Sequence, residues 1–416
     1  MSAPEPVEQQ ADDVALARRV LDVLDRGAAN ATYKFALLLA LIGHCEQSAG
    51  EDATVPDRVP LVALGERVLR LYWPQAREYP VPTTTGVPGR RLVLFQSQNP
   101  GGGDERSHVT VVSDIVEVCN GPPPVTAEAF RRSHPDDWQR LVRSTTKKLL
   151  YDPIPRLQRI DRHAEPFLYH QDWPPQPTLD DFADRQWPTE LRLRPGVGQR
   201  LARLGPLLRP VIQDRWRTEV QRINRADLAE HTLEQFLFGA ERMPLARALG
   251  PLGELQQGRC FYCDGDLGRL RQLKEDDGAQ VDHFVPWSRQ PDDGVHNLVA
   301  ACGPCNRSKS SALAGERFVR RWADRLTDPS LASELQRIAD AQALACDAAR
   351  SLGAARSQYL WLPDGSHLWV GRHGGRPVLE PSPPVEQLAA LLADPPPANA
   401  GLAAEASDDY DPPDGR

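Results

Sequence analysis

The chain has 416 residues, a formal net charge of −8, and Phe35–Ile42 as its longest apolar run. That length accommodates two or three domains, and so acidic a balance excludes a protein that coats nucleic acid with its whole surface, though not one with a single basic face. The apolar run is far too short to cross a bilayer, so no membrane partner is expected.

In chain order, residues 1–12 are acidic and polar, do not read as a signal peptide, and are expected to be disordered. Val14–Arg26 places Val14, Ala17, Leu21 and Leu24 at helical spacing. Asn30–His44 follows, with Asn30 or Thr32 as cap and a stripe of Phe35, Leu38, Leu39 and Ile42 widened by Leu37 and Leu41, which predicts a centrally buried helix. Leu61–Tyr72 predicts a third helix. Residues 75–107, rich in Pro, Gly, Thr and Ser, predict a loop with one strand at Leu92–Phe95. Val109–Cys119 reads as helix or strand, because its Val and Ile density fits both. Ala127–Arg159 is basic, with a helix over Trp138–Tyr151, and reads either as a solvated face or as a contact for a nucleic-acid backbone. Phe167–His170 and Glu190–Leu193 are short strand candidates, and Gly198–Asn224 is helical with breaks expected at Pro206 and Pro210.

A domain boundary is expected within 226–243, around a helical segment at Leu228–Gly239, with Pro244–Gln256 leading into the next unit. Further on, Phe318–Leu326 and Leu331–Leu352 predict helices. Tyr359–Leu362 and His367–Val370 flank P-D-G-S and predict a hairpin, Val385–Ala393 a short helix, and the tail from Pro395 disorder. The 39 prolines, against an average usage of about 5%, fall in connections and in the tail.

The densest chemistry lies between Cys260 and Lys309. C-F-Y-C supplies Cys260 and Cys263, A-C-G-P-C supplies Cys302 and Cys305, and V-D-H-F-V-P-W-S-R lies between them with Asp282 and His283. Two C-x-x-C knuckles aim four sulfurs at one point, which suits tetrahedral Zn2+, and a disulfide-bonded or merely buried set is the competing reading. The remaining thiols, Cys45, Cys119 and Cys346, sit in apolar helical contexts and read as core residues. The expected setting is a reducing cytoplasm.

Residues 245–325 resemble the HNH endonuclease family, in its four-cysteine zinc-containing branch, because cysteines, Asp-His dyad, Asn297 and Asn306 appear in that family's order. The segment N-A-T-Y-K-F-A-L-L-L-A-L-I looks like the N-terminal part of some bacterial proteins that end in such a domain. The resemblance implies a ββα-metal unit with strands at Val281–Pro286 and Asn297–Ala301 and a helix from Pro304–Cys305. It also implies DNA as substrate, with His283 as general base, Asp282 and Asn306 as oxygen ligands of a catalytic cation, and Asn297 orienting the loop of the base. Many members carry His where this chain has Asn306; others, including nuclease domains of RNA-guided systems, carry Asn. An oxygen ligand there favours Mg2+ or Mn2+ over Zn2+ or Ni2+.

Arg307 and Lys309 are expected at phosphate, and Arg289 reads equally as a phosphate contact or a surface group. His296 reads as a solvated loop residue and Trp287 as packing. Arg317, Arg320, Arg321 and Arg325 are expected to concentrate positive charge near the site. The expected fold is mostly α with small α+β parts. It comprises a disordered lead (1–12), a mainly helical domain for recognition or regulation (13–225), an HNH domain with structural zinc (244–326), helices and a hairpin (327–394) and an acidic tail (395–416). The expected function is metal-dependent DNA cleavage, in restriction or anti-phage defence, with a homo-oligomer or a defence-system partner left open. The alternative is a zinc-stabilised nucleic-acid-binding or regulatory protein without cleavage.

Overall fold

The apolar run at 35–42 lies in a helix buried on almost every side, and the N-terminal half is assembled round it. The structure is a computed structural model that describes residues 6–26, 31–80, 91–98, 106–124, 126–160, 163–164, 166–173, 188–224, 228, 230–239, 245–270 and 278–394. The expected acidic tail lies outside these residues. The first nine helices are α1 (Pro6–Arg26), α2 (Tyr33–Gln47), α3 (Leu61–Tyr72), α4 (Thr110–Cys119), α5 (Ala127–Ser133), α6 (Pro135–Tyr151), α7 (Pro153–Leu157), α8 (Val197–Asn224) and α9 (Glu230–Phe238). Among the strands, β1 (Arg58–Pro60) belongs to a three-stranded antiparallel sheet described below. Short pairs form between β2 (Tyr79–Pro80) and β3 (Arg91–Leu92), β4 (Ser97–Gln98) and β5 (Arg106–Ser107), and β6 (Arg159–Ile160) and β7 (His163–Ala164). The sheet is completed by β8 (Tyr169–His170) and β9 (Glu190–Leu193), in the order β1-β9-β8.

Three expectations for this half need correction. The lead is helical from Pro6, because Asp12 and Asp13 on α1 pair with Arg200 and Arg203 on α8 and tie the helix down. The strand expected at 92–95 is displaced: β3 pairs only Arg91 and Leu92, and 93–95 lie outside it. Finally, α8 runs unbroken through Pro206 and Pro210. An interior proline costs about 3 kcal/mol. Along α8 the buried Leu201, Leu208, Ile212, Trp216 and Val220 each contribute roughly 1.5–3 kcal/mol, enough to hold the helix together. The segment 109–119, ambiguous in sequence, is the helix α4.

Helices α2 and α8 approach closely. A Cβ on Gly205 would overlap Glu46 Oε1, and Glu46 forms a buried ion pair with Arg209. Leu233 and Leu237 of α9 complete this first core, which therefore reaches into the stretch expected to be a boundary.

The second core is built from α10 (Ala246–Leu255), α11 (Leu267–Leu270), β10 (Ala279–His283), β11 (Leu298–Cys302), α12 (Gly303–Lys309), α13 (Glu316–Thr327), α14 (Pro329–Gln342), α15 (Ala348–Tyr359), β12 (His367–His373) and α16 (Val385–Leu391), and the largely exposed β13 (Arg376–Pro381) pairs with β12 outside it. The helix expected over 331–352 is two helices. Ala343 ends α14 in the left-handed region, at φ 52°, and Asp347 caps α15 by accepting a hydrogen bond from the Arg350 amide. The expected hairpin is displaced as well. Tyr359 closes α15, P-D-G-S only leads into β12, and the turn joining β12 to β13 falls at Gly374-Gly375, where φ is +58° and +81°. Two consecutive positive φ values match the twist of the flanking strands, and glycine adopts them without steric cost.

The two cores meet through α15, which packs on α2 so closely that a Cβ on Gly353 would overlap the carbonyl of Gln47. Arg132 adds an ion pair with Asp340 and a hydrogen bond to the Leu344 carbonyl. Among the described residues no helix is long and apolar enough to cross a membrane.

Candidate active site and zinc centre

Cys260 and Cys263 sit on a tight turn after α10. The Asp264 amide donates to the Cys260 carbonyl at 3.0 Å, and Asp264 itself adopts a φ of +57°. Cys302 ends β11, and Cys305 lies in the first turn of α12 behind Pro304, which needs no amide partner there. The four sulfurs lie within 4.8 Å of one another, with Cys260, Cys302 and Cys305 buried and Cys263 exposed. Cys263 Sγ and Cys302 Sγ are 3.8 Å apart. A disulfide requires about 2.05 Å, whereas a tetrahedron with Zn–S bonds of about 2.3 Å has edges of ~3.8 Å. The donor set therefore fits zinc and not a disulfide. The Cys260, Cys302 and Cys305 thiols share hydrogen bonds that lower the pKa of Cys302 and raise that of Cys305, so Cys302 is the first of the pair to become the thiolate that a metal requires. The Arg372 guanidinium, from β12, hydrogen bonds Cys305, and its own pKa is raised by that contact. It places a positive charge where four thiolates and one Zn2+ would leave a net negative centre.

The hairpin of β10 and β11 pairs Asp282 with Val299 and His283 with Leu298. Both strands lie close to where they were expected, with β10 starting and ending earlier. Gln280 and Asp282, two residues apart, share one face of β10 and meet α12. Asn306 Nδ2 donates to Gln280 Oε1 at 2.9 Å, and Lys309 Nζ lies 3.0 Å from Asp282 Oδ2. The same ammonium donates to the His283 carbonyl at 2.8 Å, and Tyr262 donates its hydroxyl to Asp282 Oδ2 at 2.6 Å. Burial first, and then Asp282, push the Tyr262 pKa well above its ordinary value, so it remains a donor. The structure thus brings Asp282, Asn306 and the backbone of His283 to one strand–helix junction.

The ring of His283 is half-buried. Its Nε2 lies 2.7 Å from Asp293 Oδ1, and Trp287 tilts against it at 5.3 Å between centroids. Asn297 is buried and staples the loop that carries these residues. Its Oδ1 accepts from the Val285 amide at 2.8 Å, and its Nδ2 donates to the carbonyls of Val285 and Asp292.

Several residues lie elsewhere than expected. Lys309 is buried and paired with Asp282, so it does not present its charge at the surface. Arg289 donates to the Ser311 carbonyl at 2.8 Å and braces a loop. Arg307 is exposed on α12. The arginines of α13 are largely turned inward or paired: Arg325 is buried on the carbonyls of Leu298 and His296, Arg321 pairs with Asp264, Arg320 with Glu316, and Arg317 donates to the Val370 carbonyl. In the basic stretch 127–159, Arg131 and Arg132 pair with Glu128, Arg140 with Asp137 and Arg156 with Asp152. Tyr262, Gln280, Asp293 and Arg372 were not singled out from sequence. Only Asp293, in the acidic doublet between the dyad and Asn297, left a signal there.

His296 corrects another expectation. It is only 5% exposed, and burial followed by the nearby Arg325 lowers its pKa from 6.5 to about 4. Above pH 6.5 both folded and unfolded chains hold it neutral. As pH falls from 6.5 towards 4 the unfolded chain takes the proton first, and stability is lost. The full loss is on the order of 3 kcal/mol. Thermal unfolding between pH 7 and 4 is expected to show a smaller acid-induced drop in His296→Gln than in wild type.

Residues 260–314 match the HNH endonuclease family, so the cysteine-bracketed hairpin and helix form an HNH nuclease-type domain, with nucleic acid as its substrate class. Residues 14–237, over half of the chain, match a second family, and the chain belongs to it: the domain of unknown function DUF8808. No curated protein and no solved structure matches the chain.

Proposed function

We propose that this chain is a metal-dependent HNH endonuclease that hydrolyses DNA phosphodiester bonds, its ββα unit pinned by a structural zinc. The observation that carries this reading is the Asp282–His283 pair set at the same junction as Asn306, inside an HNH match with all four cysteines present. Among the described residues, Asp282 Oδ1 and Asn306 Oδ1 take no hydrogen bond, so each keeps a hard oxygen for Mg2+ or Mn2+. Such a cation would stabilise negative charge on the phosphate and the leaving oxygen. The Asp293 carboxylate draws the hydrogen of His283 onto Nε2. Nδ1 is then the nitrogen that accepts the proton of the attacking water. Asn297 holds the loop, Lys309 and Tyr262 fix the Asp282 carboxylate, and exposed Arg307 meets phosphate.

The first core, extended to Leu237, serves recognition or regulation, and the setting we attach to the whole is cytoplasmic, in restriction or anti-phage defence. One observation favours the alternative of a zinc-stabilised binding or regulatory protein. The Lys309 ammonium already neutralises one oxygen of Asp282. Supercoiled plasmid incubated with the full chain separates the two. Nicking that requires Mg2+ or Mn2+ and stops with chelator is expected, and a gel shift without nicking in either metal supports the alternative.

A further inference from the structure

A cavity of about 810 Å³ opens between the two cores. One wall comes from α2, α3, α8 and α9, the other from the loop that carries Trp287, Asp293 and Gly294 and from the α14–α15 connection. Leu71, Phe238 and Trp287 give it apolar and aromatic surface. Its charges are unevenly matched. Glu66 and Glu128 are tied to Arg70, Arg209 is paired with Glu46, Arg350 with Asp292, and Asp293 with His283. Asp347 is used as a helix cap, and Glu234 is exposed.

Arg67 differs from these. It is partly buried, lines the cavity, and among the described residues meets no carboxylate within ion-pair distance; its guanidinium donates only to the neutral Gln47 Oε1. Burial, and then the neighbouring Arg350, lower its pKa to about 9, and the more distant Glu46 and Asp292 offset this only in part. A partly buried guanidinium of this kind, facing an open cavity beside a second arginine, is what an anionic group would satisfy with bidentate hydrogen bonds.

We propose that this cavity binds a small organic anion, a phosphate or carboxylate carried on an aromatic or apolar body, with Arg67 as its principal contact and Arg350 as a second. The occupant would touch the loop that holds His283. Binding itself does not depend on whether the chain cleaves DNA, so it is measured separately from cleavage.

Calorimetric titration of the full chain with adenosine monophosphate, inorganic pyrophosphate and benzoate tests it. Saturable binding of at least one of the three is expected, abolished in Arg67→Gln and unchanged in Arg337→Gln, which removes an exposed charge on α14. Binding of the nucleotide or pyrophosphate alone identifies phosphate as the recognised group, and binding of benzoate alone identifies carboxylate. A second measurement excludes a merely structural Arg67. Without ligand, Arg67→Gln is expected to unfold at a temperature roughly 2–4 °C higher than wild type, because it removes a partly buried charge that touches no carboxylate. No binding of any of the three probes, equal binding in Arg67→Gln, or a lower unfolding temperature in that variant overturns the proposal.

Discussion

His283→Ala is expected to lower the single-turnover rate of DNA cleavage by about 10²–10⁴-fold, the usual contribution of a positioned general base, while leaving the unfolding temperature close to that of wild type. The side chain is half-buried and its polar contact runs to the loop through Asp293, so its loss removes little packing. His283→Gly should regain part of the rate when imidazole is added, a response that a purely structural histidine would not give. Asp293→Asn tests the orienting contact: it is expected to cost about 10–100-fold, with DNA binding retained. A His283→Ala chain that cleaves as fast as wild type contradicts the assignment of the base.

The second large effect concerns the four cysteines. Structural zinc sites of this kind contribute an apparent ~10–16 kcal/mol in small domains, more than the net stability of most domains, which is about 5–15 kcal/mol. Here the metal would join a knuckle, the end of β11 and the start of α12, and α12 carries Asn306 and Lys309. Cys302→Ser, or zinc removal by chelator, is therefore expected to unfold residues 255–310 and abolish cleavage. The first core, with its own apolar centre round α2, is expected to stay folded. Amide hydrogen exchange resolves the two regions. Retained protection across β10 and β11, with an unchanged unfolding midpoint, contradicts a structural role for the metal.

Much of the site could be read from sequence because its residues carry the chemistry in their spacing. Two C-x-x-C pairs limit where four sulfurs can point, and the structure brings them together. The apolar run in α2 also announced its own burial. What failed depended on tertiary partners. Lys309 looked like a phosphate contact because it follows Asn306 at the start of an expected helix, where phosphate is attracted. Its burial against Asp282 and Tyr262 follows only from how α12 lies on β10. His296 looked like a solvated loop residue, but α13 covers it with Arg325 and Trp322. The prolines of α8 signalled breaks, and packing against α2 overrode them. The P-D-G-S turn drew attention away from Gly374-Gly375, the pair that both adopts positive φ and joins two strands in register. The contact of Arg372 with Cys305 joins residues far apart in the chain and has no local signature.

Whether Asp282 and Asn306 hold one divalent cation beside His283 is read most directly by titrating Mn2+ into zinc-loaded His283→Ala protein and counting bound ions by paramagnetic resonance. One Mn2+ per chain is predicted, absent when Asn306→Ala or Asp282→Ala is added, with zinc content unchanged in every variant. No bound Mn2+ in the parent, or a bound ion that survives both added substitutions, would contradict it.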